Sequence, residues 1–187
     1  MIDVAVFASG TGSNLVNLVQ NEELKNYINI KLLVCDNPKA KVIERAKELG
    51  VETLVFNPKE YSKKIDFEKM LLEQVKDFKY LLLAGYMRVI STYFLENYEG
   101  KIINIHPSLL PLYKGINSIE RAYNNKDEEI GVTIHFVNEE VDGGEILAQD
   151  KFTVDYNKSL EDITQQVHKL EHRLYPNTLI ELLRKEN

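Results

Sequence analysis

An α/β fold follows from three features of the 187-residue sequence. Short apolar runs recur at 2–8, 30–35, 53–56, 80–84 and 101–105. Segments with helical spacing separate them, and a glycine-rich turn follows the first run directly. Strands that alternate with helices in this way build a parallel sheet with right-handed crossovers.

Residues 2–8 read as a buried first strand. The turn Ser9-Gly10-Thr11-Gly12-Ser13-Asn14 leads into a helix that opens at Leu15. The strand at 30–35 is stopped by Asp36-Asn37-Pro38, and a helix over 39–49 is stopped by Gly50. A third strand, 53–56, precedes a helix over 65–78, whose apolar stripe is Ile65, Met70, Leu71, Leu72 and Val75. Residues 80–84 form a fully buried strand. The stretch 85–90 then mixes apolar bulk with one cation, which suits either the wall of a pocket for a flat heterocycle or plain core. A strand at 101–105, a short helix at 116–124 and two strands at 131–137 and 145–154 follow. The linker 138–144 between the last two is acidic and glycine-rich. The final helix spans 159–184, with Ser159 and Asp162 spaced as a capping pair. The expected architecture is one α/β domain over 1–187. It is a Rossmann-like open sheet, mostly parallel, with helices on both faces and a C-terminal β-hairpin plus long helix.

Composition narrows the function classes. A net charge of −6 argues against a general nucleic-acid surface, which is normally basic. Local donors still hold small anions on an acidic protein. Met1 runs straight into a strand, so no signal peptide is expected, and no apolar run approaches membrane-spanning length. A single cysteine, Cys35, excludes an internal disulfide and suits a reducing cytoplasm.

The chemistry centres on 101–115, KIINIHPSLLPLYKG. The strand breaks at Pro107, because proline cannot donate to a ladder. Asn104 and His106 therefore lie two apart at a strand's carboxyl end, on the same face, where open α/β sheets bind ligands. Together they offer a carbonyl oxygen a neutral donor and a titratable one. The alternative is a loop-capping amide beside a structural histidine. The turn at 9–14 suits a phosphate, since exposed amides and the helix dipole favour an anion there. It also reads as a tight turn without a ligand. A dinucleotide fingerprint matches in part: Leu15 stands where a third glycine belongs, while Asp36 ends the second strand, where such proteins read a ribose hydroxyl. No Gly-Lys-Ser/Thr follows, so the Walker pattern fails. His168-Lys169-Leu170-Glu171-His172 spells a zinc helix, but only 15 residues remain to supply a third ligand, and no metal is expected. His135 lies between Ile134 and Phe136 and points opposite to both. No G-x-S-x-G is present, and Cys35 lacks a nearby base in sequence.

Six segments, spread over nearly the whole chain, carry a resemblance. They are Ala8 to Asn14, Ala84 to Arg88, Asn104 to Pro111, His135 to Val137, Val141 to Gly144 and Glu171 to Pro176. The sequence resembles the folate-dependent phosphoribosylglycinamide formyltransferases of purine synthesis. The central block is shared with other enzymes that use 10-formyltetrahydrofolate, so it points to formyl chemistry, and the Gly-Ser-Asn turn points to the acceptor.

The resemblance implies that the amine of glycinamide ribonucleotide attacks the formyl carbon carried on N10 of the folate. It makes Asn104 and His106 the groups that stabilise the tetrahedral oxygen, and Asp142 the partner of His106 in proton transfer. A carboxylate beside an imidazole favours the charged ring. Gly12, Ser13 and Asn14 are implied phosphate contacts, and Glu171 a ribose contact. Lys64, Met87, Arg88, Val89, Ile90, Asn138, Glu139, Glu140 and Val141, with Asn104 and Asp142, are implied to contact the folate co-substrate. Small molecules are thus the expected partners, with no nucleic acid and no membrane. Lys114 and Glu145 stand where relatives usually, or often, carry proline. Methionyl-tRNA formyltransferase and formyltetrahydrofolate hydrolase share the Asn, His and Asp. The first normally adds a basic C-terminal domain and the second an N-terminal regulatory one, and neither is expected in this short acidic chain. A nucleotide-binding module or NAD oxidoreductase is the reading from a different class, motivated by Gly10-x-Gly12 and Asp36.

Overall fold

The computed structural model describes residues 1–186. Seven strands hydrogen-bond in the order β3-β2-β1-β4-β5-β6-β7. They are β1 (Ile2–Ala8), β2 (Ile28–Cys35), β3 (Glu52–Val55), β4 (Tyr80–Leu83), β5 (Lys101–His106), β6 (Glu129–Phe136) and β7 (Ile146–Thr153). The helices are α1 (Ser13–Gln20), α2 (Val42–Glu48), α3 (Lys64–Val75), α4 (Thr92–Asn97), α5 (Ser118–Asn124) and α6 (Leu160–Glu186). Every strand and helix expected from the sequence is present, with ends shifted by a few residues. Helix α4 is additional; it is six residues long and is capped by the Ser91 hydroxyl, which accepts from Phe94 N–H at 3.1 Å. Among the described residues no helix is long and apolar enough to cross a membrane.

The chain forms two compact units, the first from Met1 to Ile103 and the second from Asn104 onward. In the first, β1 pairs in parallel with β2 on one side and β4 on the other, and β2 pairs in parallel with β3. Val4 to Ala8 are at most 1% exposed, as a central parallel strand covered on both faces requires. The strand order reverses between β2 and β4 about β1. The ends of β1 and β4 are thus the topological switch point, where open sheets bind ligands. Two loops emerge there: the glycine turn after β1 and the 85–90 loop after β4. They are joined at their roots, Ala84 N–H donating to Phe7 O at 2.9 Å and Ser9 N–H to Gly85 O at 3.0 Å.

In the second unit, β6 and β7 form the expected antiparallel hairpin, with a register shift between Ile134 and His135. Such a bulge re-aims one side chain of a strand. Helix α6 packs on both strands, and Ile163, Val167 and Leu170, spaced on one helical face, are buried, as are Ile130, Val132 and Ile134 of β6. Burying each of these aliphatic side chains contributes about 1.5–3 kcal/mol. The capping pair forms as expected: Asp162 N–H donates to Ser159 Oγ at 3.1 Å and Ser159 N–H to Asp162 Oδ2 at 3.2 Å.

Gly12 caps α1 with φ of 80°, in the left-handed region. A Cβ there would stand 2.5 Å from Val42 Cγ2 at the start of α2. The turn is therefore shaped by backbone conformation and by this close approach together. Gly12→Ala is expected to cost roughly 1–3 kcal/mol, from φ strain plus overpacking. In urea unfolding, Gly12→Ala/Val42→Ala should be less destabilised than the two single losses added. Strict additivity would refute the contact between these positions.

Candidate active site

The end of β5 presents Asn104 and His106 two residues apart, and the second unit gathers three polar side chains around them, Asp142, His135 and Ser118. Asp142 lies between two imidazoles. Its Oδ2 is 3.5 Å from His106 Nδ1 and its Oδ1 is 3.7 Å from His135 Nε2. These are ion-pair distances, longer than hydrogen bonds. Gly115 N–H donates to Asp142 Oδ2 at 2.8 Å. His135 donates Nδ1–H to Phe136 O at 2.8 Å, which leaves Nε2 to accept from the Asn104 amide at 3.3 Å. One Asn104 N–H is thereby aimed at His135. On the other side, His106 donates Nε2–H to Tyr113 O at 2.9 Å, with Ser118 Oγ at 3.2 Å. His106, His135 and Ser118 are all buried.

A buried charge needs compensation. Burial works to raise the Asp142 carboxyl. Contact with His135, the Gly115 N–H and the electrostatic pull of the neighbouring His106 outweigh it, and hold the group below the usual carboxylate range. Asp142 itself has φ of 51°, a left-handed conformation that aspartate tolerates better than most residues. The turn around it depends on Gly144, where a Cβ would fall 1.7 Å from Phe136 O. Asn138 closes the same turn, its Oδ1 accepting from Glu140 N–H at 3.0 Å.

The resemblance singled out Asn104, His106 and Asp142, and the structure brings all three together. His135 and Ser118 were not among the expected site residues. The alternation along 131–137 aimed His135 away from its apolar neighbours, but no sequence feature tied it to Asp142. Lys114 pairs with Glu140 at 2.5 Å, linking the loop after β5 to the turn that carries Asp142. Glu145 contributes its carbonyl to Phe136 N–H at 2.9 Å, a bond in which its side chain has no part. Glu139 and Val141 are exposed on that turn. Glu171 is buried on α6 and accepts from His168 Nδ1 at 3.0 Å. That hydrogen bond raises the His168 imidazole, whereas burial lowers His172. Among the described residues no group of three or more His, Cys, Asp or Glu is placed to hold a metal ion.

In the first unit, no side-chain hydrogen bond is made at the N-cap of α1, the glycine before Ser13 and the buried Asn14. Beyond β4, Met87 and Val89 are 78% and 54% exposed, while Ile90 is buried. Lys64 reaches this loop and donates Nζ–H to Val89 O at 2.5 Å. Asp36 does not await a ribose. Its Oδ1 accepts from Ser9 Oγ at 2.5 Å and its Oδ2 from Arg88 Nε at 2.7 Å. With Leu15 already missing the fingerprint glycine, the dinucleotide reading loses its acidic residue as well.

Comparison with known proteins agrees with the resemblance to phosphoribosylglycinamide formyltransferases. Residues 2–179 match the family model described as formyl transferase. The phosphoribosylglycinamide formyltransferase of Bacillus subtilis (strain 168) is 44% identical over 186 residues, 98% of this chain and 95% of that protein. The crystal structure of the phosphoribosylglycinamide formyltransferase from Bacillus halodurans superposes with a TM-score of 0.93 at 40% identity, covering 99% of this chain and 97% of that one. The trifunctional purine biosynthetic protein adenosine-3 of Gallus gallus is 35% identical over 181 residues, which are 95% of this chain and 18% of that longer protein. The chain belongs to the formyl transferase family.

Proposed function

We propose that this protein transfers the formyl group of 10-formyltetrahydrofolate to the amine of glycinamide ribonucleotide, a step of purine synthesis, and that it works in the cytoplasm. The observation that carries this reading is the buried cluster in which Asp142 joins His106 and His135, and His135 in turn holds Asn104. The 44% identity to the Bacillus subtilis enzyme supports the choice of acceptor. The uncapped start of α1 supports a phosphate at Gly12, Ser13 and Asn14.

The amine nitrogen forms a bond to the formyl carbon, and the carbonyl π electrons move onto oxygen. Asn104 has two amide hydrogens and gives one to His135; the second is available for that oxygen. His106 meets the same oxygen by exchanging Tyr113 O for it at Nε2, and its Nδ1 faces Asp142. On collapse the bond from carbon to N10 breaks, the amine loses a proton and N10 gains one. An imidazole and a carboxylate side by side carry that proton between the two nitrogens. No protein nucleophile is needed, which accounts for the lack of an activated serine or cysteine. Met87, Arg88, Val89 and Ile90, Lys64, and the 138–142 turn are the contacts this reading gives the folate, and Glu171 the contact it gives the ribose.

Incubation with 10-formyltetrahydrofolate, with and without glycinamide ribonucleotide, tests the reaction. Deformylation should require the acceptor. Acceptor-independent release of formate would instead make the protein a hydrolase.

Asn104→Ala should lower kcat by about 10²–10³, the typical loss of one oxyanion donor, and change either KM far less. A normal kcat with a raised folate KM would move Asn104 from chemistry to binding.

Asp142→Asn should lower kcat by roughly 10²–10⁴, the range for lost acid–base assistance. It also has a signature in stability. The folded protein holds Asp142 below its ordinary value of 3.8, so the ionised group adds stability above that pH and loses it as pH falls through the lower folded value. The wild-type advantage over Asp142→Asn in urea unfolding should therefore shrink between about pH 5 and pH 3. An advantage that grew with acid would contradict the charge assignment.

A further inference from the structure

Asp36 ends β2 and takes no part in the chemistry above. We propose that it is a positioning residue for both substrates: through Ser9 on one oxygen and Arg88 on the other, it ties the turn assigned to the acceptor's phosphate to the loop assigned to the donor. This inference rests on the formyl-transfer reading.

The bonds form a closed ring. Ser9 Oγ–H donates to Asp36 Oδ1 at 2.5 Å, and the same hydroxyl oxygen accepts from Met87 N–H at 2.9 Å. Arg88 Nε–H returns to Asp36 Oδ2 at 2.7 Å. The Asp36 side chain is 6% exposed, so its charge sits away from water and both of its oxygens are occupied. Ser9 is the residue before Gly10-Thr11-Gly12, and Met87 and Arg88 are the middle of the second loop. The adjacency of β2, β1 and β4 is what brings the three strand ends together.

The loop after β4 is pinned at alternate residues. Gly85 O accepts from Ser9 N–H, Met87 N–H reaches Ser9 Oγ, Val89 O accepts from Lys64, and Ser91 N–H donates to Glu68 Oε1 at 3.1 Å. The Arg88 guanidinium also lies over the Phe67 ring, 5.9 Å from its centroid. At two of these pins the backbone is held while the Met87 and Val89 side chains stay exposed. Large apolar side chains on a fixed backbone form a preset surface, and presetting spares a ligand the cost of ordering it. A carboxylate is needed at position 36 because both neighbours donate. An asparagine could accept from Ser9 but would turn an N–H toward Arg88 Nε, setting donor against donor and removing the counter-charge.

Steady-state kinetics with both substrates varied, on Asp36→Asn and separately on Ser9→Ala, tests the proposal. Asp36→Asn should raise the KM of the acceptor and of the donor by roughly tenfold each, the effect of one charge-assisted hydrogen bond, with kcat within about threefold of wild type. Ser9→Ala keeps the Asp36–Arg88 pair, so it is the variant to read if Asp36→Asn does not fold. It should raise both KMs by a smaller factor. A rise confined to one substrate overturns the proposal. So does a lower Tm with both KMs unchanged, which would make Asp36 a brace for the fold alone, or a fall in kcat with both KMs unchanged. Wild-type turnover separates the two levels of inference. Its absence with both substrates refutes the formyl-transfer reading, whereas its presence beside unshifted KMs refutes the role of Asp36 alone.

Discussion

A negative charge in a buried place dictates the construction of the second unit. The Asp142 carboxyl is held below its ordinary value, in its ionised form, although burial opposes that ionisation. Each neighbouring feature answers this constraint. The left-handed backbone at Asp142 turns the carboxylate inward, and Gly144 lets the turn approach Phe136 O closely enough to allow it. The register shift at His135 sets an imidazole beside one carboxylate oxygen, while the end of β5 sets His106 beside the other. Gly115 N–H completes the set from the loop after β5. Loss of any one contact leaves the charge less compensated, so these elements depend on one another more than on their own propensities.

The legibility of the sequence follows the range of the interactions concerned. Strands such as 2–8 and 80–84 were readable because a strand buried on both faces needs an unbroken apolar run. The α6 cap was readable because Ser159 and Asp162 are three residues apart and bond each other. Helix α4 was not, since six residues hold too few turns to show a periodicity, and Ser91 was its sole local signal. Asn104 and His106 were legible as a pair on one strand. Asp142 lies far along the chain from His106, and only resemblance to a family joined them. Nothing local distinguishes it from an ordinary turn aspartate beside two glycines.

Asp36 shows the converse error. Its place at the end of β2 matches that of a ribose-reading carboxylate, and the motif logic stops there. What decides its role are Ser9, 27 positions away, and Arg88, 52 positions away, neither of which the motif includes. A local pattern identifies which group stands at a strand end. The partners that occupy it come from topology.

The two aspartates also explain why one of them suits chemistry and the other does not. Both are mostly withdrawn from water and both have their oxygens engaged. Asp36 is satisfied by a guanidinium, which does not give up its proton in a protein, and by a hydroxyl bound at 2.5 Å. That arrangement is static and transmits geometry. Asp142 instead faces two imidazoles, His106 at 3.5 Å and His135 at 3.7 Å, a residue type suited to passing a proton on. Exchanging the partners would exchange the roles. An arginine beside Asp142 would fix the carboxylate and leave the migrating proton without a carrier, whereas a histidine in place of Arg88 would make the hold on the 85–90 loop depend on pH. The residue type at the carboxylate is the same in both places, and the difference between imidazole and guanidinium neighbours is what the proposed division of roles, proton transfer at Asp142 and alignment at Asp36, rests on.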